Sequence, residues 1–110
     1  MAAPSDSDAV IVLTTLAADA DAAGLARTLV NERLAACVNV LPAMTSFYRW
    51  QGTVEEGTEQ QLIMKTTADR VAPLAARLRE LHAYEVPEFL VLRVAEGSDA
   101  YLGWIRDSVR

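Results

Sequence analysis

Two short runs are apolar at almost every position: Val10-Ile11-Val12-Leu13 near the start, and Phe89-Leu90-Val91-Leu92-Arg93-Val94 near the end. Successive side chains of a strand point to opposite faces of its sheet, so a run without alternation predicts a strand buried on both faces. A chain with two such strands must find cover for both sides of one sheet. Its remaining segments have to be read with that demand in mind.

After the first run, Asp19 or Asp21 can cap a helix with Ala22, Leu25, Ala26, Leu29 and Val30 on its apolar side, ending near Leu34. Residues 33–52 hold the next strand in two pieces. Ala36 to Leu41 is β-branched, Pro42 marks a bend, and Met44 to Gln51 alternates, with Met44, Ser46, Tyr48 and Trp50 on one side and Thr45, Phe47 and Arg49 on the other. Such a length predicts an arm that reaches beyond one small domain. Gly52 and Gly57 bracket a polar tip, Thr53 to Glu56. The chain then returns as a strand over Glu59 to Thr67, with Leu62, Met64 and Thr66 facing the core. Asp69 can cap a second helix carrying Val71, Leu74, Leu78 and Leu81, and Ser98 a short last helix carrying Tyr101, Leu102, Trp104 and Ile105. Residues 1–8 read as a disordered tail ahead of one domain, 9–110.

The order strand, helix, strand, strand, helix, strand, helix is the split βαβ pattern of an α+β ferredoxin-like sandwich, here with a long hairpin between the second and third strands and a C-terminal helix. Two helices cover one sheet face. The other would expose Val, Leu and Phe unless a second copy covers it, which predicts an obligate homo-oligomer.

Ten Lys and Arg are scattered among fifteen Asp and Glu, for a formal net charge of -5, so no basic surface suits nucleic acid. One cysteine makes no internal disulfide, and no apolar run approaches a membrane span or a signal peptide. A cytoplasmic protein away from the membrane is the expectation.

Several short motifs then fall in order: Leu34-Ala35-Ala36-Cys37, Thr45-Ser46-Phe47-Tyr48-Arg49-Trp50-Gln51-Gly52, Lys65-Thr66-Thr67, Tyr84-x-x-Pro87-Glu88 and Tyr101-Leu102-x-Trp104. Together they resemble the CutA family of divalent-cation tolerance proteins, from about Val10 to the C-terminus. The resemblance implies a ferredoxin-like protomer in a tight homotrimer and a role in the response to divalent metal ions, copper among them. It also implies likeness to the trimeric PII signal proteins, which bind effectors in clefts between subunits, an analogy of fold alone.

Among residues able to carry chemistry, His82 is the only histidine, and a neutral imidazole is a good copper or zinc ligand. The family's proposed metal ligands include a histidine at this position. They also include a neighbouring histidine and a first-strand cysteine, where this chain has Leu81 and Thr14. Cys37 is the remaining soft donor, and its place after Ala35-Ala36 predicts packing in a buried strand start. Tyr48, Trp50, Glu59, Lys65, Tyr84, Glu88 and Trp104 suggest a cleft with aromatic walls, one cation and carboxylates, suited to a small polar or anionic ligand. No set of acid, base and nucleophile is apparent, so the reading is non-enzymatic: no cofactor is required, and a divalent cation is a candidate weak ligand.

Overall fold

The computed structural model describes Ser5 and residues 7–110. Strand β1 (Ala9–Ala17) leads to helix α1 (Ala22–Asn31). Strands β2 (Cys37–Val40), β3 (Met44–Trp50) and β4 (Thr53–Thr67) follow, then helix α2 (Val71–Leu81), strand β5 (Leu90–Arg93) and helix α3 (Asp99–Ser108). The sheet is antiparallel in the order β2-β4-β1-β5, with β3 paired to the far half of β4. Residues 1–4 and 6 of the expected tail lie outside the described residues, while Asp8 N–H closes a turn onto the Ser5 carbonyl at 3.0 Å.

The register sorts side chains by face. Val12 stands opposite Met64 and Val91, so these share one side of the sheet; Ile11 stands opposite Lys65 and Leu92, and these share the other. On the first side Val10, Val12 and Met64 pack with Leu29 of α1 and with Leu74 and Leu78 of α2 into the main core. Both α1 and α2 therefore cover this face. On the second side only the Ala9 end is covered, where Ile105 and Val109 close over Ala9 and Ala36. Leu90 and Leu92 remain 52% and 49% exposed there. β1 is central, as its composition predicts. β5 is not buried on both faces within one chain, because it forms a sheet edge and no helix lies over its second side.

Two local predictions need correction. The hairpin turn is at Gln51-Gly52, whose φ angles of 50° and 82° are those of a two-residue turn matched to strand twist; Thr53 to Glu56 are therefore already strand, and β4 runs for 15 residues. Asp69 does not cap α2: it accepts from the Thr67 hydroxyl within a short 3₁₀ turn, Ala68–Arg70, that precedes the helix. Asp21 and Ser98 do cap α1 and α3, accepting from the N–H groups of Gly24 at 2.9 Å and Tyr101 at 3.2 Å.

Candidate functional site

The outer part of β4, Thr53 to Thr58, extends past β1 and pairs only with β3, so a two-stranded arm projects from the body. Because strand side chains alternate, Met44, Ser46, Tyr48 and Trp50 stand on one side of this arm. The ring of Tyr48 lies across Gly57, its hydroxyl 3.6 Å from where a Cβ would stand. Facing the arm is the turn Tyr84 to Glu88 that carries the chain from α2 into β5. Between them lies a groove of about 760 Å³, with Glu59 and Gln61 on its floor.

Two hydrogen bonds pin the turn to the sheet, and a third fixes the side chain that makes one of them. The Thr14 hydroxyl donates to the Glu88 carbonyl at 2.7 Å, and Gln61 Nε2 donates to the Glu88 carboxylate at 2.8 Å and to the Thr14 carbonyl at 2.7 Å. His82, the C-cap of α2, completes the attachment. Its Nδ1 accepts from the Tyr84 N–H at 3.1 Å, which leaves the proton on Nε2, 2.6 Å from the Thr15 carbonyl. Next to it the Tyr84 phenol is pushed up to about 12, first by burial and then by hydrogen bonding to, and the charge of, Glu59. The hydroxyl is accordingly a donor and carries no charge at neutral pH.

The structure brings Tyr48, Trp50, Glu59, Tyr84 and Glu88 of the expected cleft residues into this one groove and adds Glu85 from the turn between α2 and β5. Two expected members lie elsewhere. Lys65 shares a face of β4 with Glu59, but six residues of strand separate them by roughly 20 Å, and its Nζ sits 5.8 Å from the ring centroid of Tyr101 on α3. Trp104 packs against that same Tyr101 ring, centroids 5.4 Å apart. The groove thus has aromatic walls and carboxylates but not the cation expected of it. Lys65 does not pair with Glu88, whose side-chain partner is Gln61.

The donors considered for a metal do not assemble. Both nitrogens of His82 are engaged by backbone groups, and a neutral imidazole has only one lone pair to offer. Cys37 is half-buried, not buried as expected, because it stands opposite Lys65 on the sheet side that α1 and α2 leave open. Thr14, where a first-strand cysteine was the comparison, is 1% exposed and holds the Glu88 carbonyl. Among the described residues no three His, Cys, Asp or Glu side chains come together in a form that could hold an ion. The described residues of one chain do not fit a resident metal.

Comparison with known proteins agrees with the motifs. The family model described as CutA1 divalent ion tolerance protein matches residues 10–108. A protein of Thermus thermophilus named divalent-cation tolerance protein CutA is 47% identical over 98 residues, 89% of this chain and 95% of the relative. The solved structure of a Thermus thermophilus divalent cation tolerance protein superposes with a TM-score of 0.87 at 46% identity, covering 91% of this chain and 97% of the other. That of CutA1 from Oryza sativa gives a TM-score of 0.88 at 34% identity, covering 94% of each chain.

Proposed function

Because this chain belongs to the CutA1 divalent ion tolerance family, we propose that it acts in tolerance of divalent metal ions, as a non-enzymatic cytoplasmic homotrimer of ferredoxin-like protomers. The family match carries this reading, since it takes in nearly the whole sheet and all three helices. The strand order β2-β4-β1-β5 with two helices on one face supports the ferredoxin-like assignment. The open apolar side of the sheet supports assembly. A single cysteine suits a reducing compartment.

Tolerance in this reading does not depend on a stored ion. To ligate copper, His82 would have to release Tyr84 or Thr15 and loosen the turn that borders the groove, so direct binding is weak. The test is growth in graded copper and zinc of a bacterial host lacking its own copy. Expression of this chain restores tolerance; growth no better than with empty vector would overturn the assignment.

The groove favours a second reading, compatible with the first: an effector site of the kind found between subunits of PII signal proteins. Its 760 Å³ is the size of a small-molecule site and far larger than one ion needs.

A further inference from the structure

We draw no further inference here: the strongest candidate, the cavity of about 420 Å³ between the first turn of α1 and the end of α2, carries none, because its polar groups are already engaged, Asp21 capping α1, the Thr28 hydroxyl donating to the Gly24 carbonyl and His82 bridging Tyr84 and Thr15, and nothing in the structure shows what covers its apolar remainder.

Discussion

His82 commits both ring nitrogens to the backbone, one to Tyr84 and one to Thr15, and so acts as a strut between the end of α2 and the end of β1. The side chain it positions, Tyr84, is the one whose ionisation the fold most clearly resists. Its phenol titrates near 10 when unfolded and is raised to about 12 in the structure, so the folded state binds the proton more tightly. The resulting stability is complete below about pH 10 and is lost as pH rises through about 12. Tyr84→Phe removes the ionisable group, and the variant should lose less thermal stability than the parent across that window. Absorbance at the tyrosinate band should show one late-titrating tyrosine fewer. Equal alkaline loss in both proteins would mean that other groups govern it. Thr14 and Gln61 belong with His82 as anchors, and sequence alone could not single them out: a threonine in an apolar strand and a glutamine in a mixed one acquire roles only when strand register sets them beside Glu88.

The elements show which signals are local and which are not. Helix α1 ends in a Schellman arrangement: Leu34 N–H donates to the Leu29 carbonyl at 3.0 Å, Arg33 N–H to Val30 at 3.1 Å, and Arg33 takes a φ of 59°. Left-handed backbone is costly for a residue with a Cβ, and glycine avoids that cost. Arg33→Gly should raise unfolding stability by about 0.5–1 kcal/mol in urea titration, since what is lost, a bond from the Arg33 guanidinium to the Arg110 carbonyl, is exposed. A destabilised variant would show that this bond outweighs the strain. Helix caps at Asp21 and Ser98, and the alternation that sends Tyr48 and Trp50 to one side of the arm, depend on neighbours a few residues away and were legible in the sequence. The turn at Gln51-Gly52 was missed because polar Thr53 to Glu56 resembles a loop, although in a projecting ribbon both sides of a strand can be polar. Lys65 was misplaced for a related reason. Sharing a strand face with Glu59 sets direction but not distance, and the sheet carries the lysine to α3 while the glutamate stays beside the arm.

At the scale of the whole molecule the fold is incomplete in two places. The sheet side bearing Ile11, Leu13, Ile63, Leu90 and Leu92 has α3 over one end only. The arm is a two-stranded ribbon with Phe47 and Val54 at 69% and 63% exposure, and such ribbons are marginal in water without a packing partner. The runs that predicted burial on both faces were therefore reporting a requirement one chain does not meet alone, which is why β5 reads as core in sequence and as an edge in the fold. Copies of the same chain supply matching apolar faces, and cyclic closure covers each of them once. Sedimentation equilibrium should give three chain masses across the accessible concentration range. Leu92→Asp places a carboxylate on the β5 edge of the open face without touching the α1 and α2 core. It should shift the distribution toward monomer and lower the melting temperature, with little change in far-ultraviolet circular dichroism. A parent that sediments as a folded monomer at micromolar concentration, or a Leu92→Asp variant that assembles undiminished, would show that the open face is stable in water and that assembly, where it occurs, uses another surface.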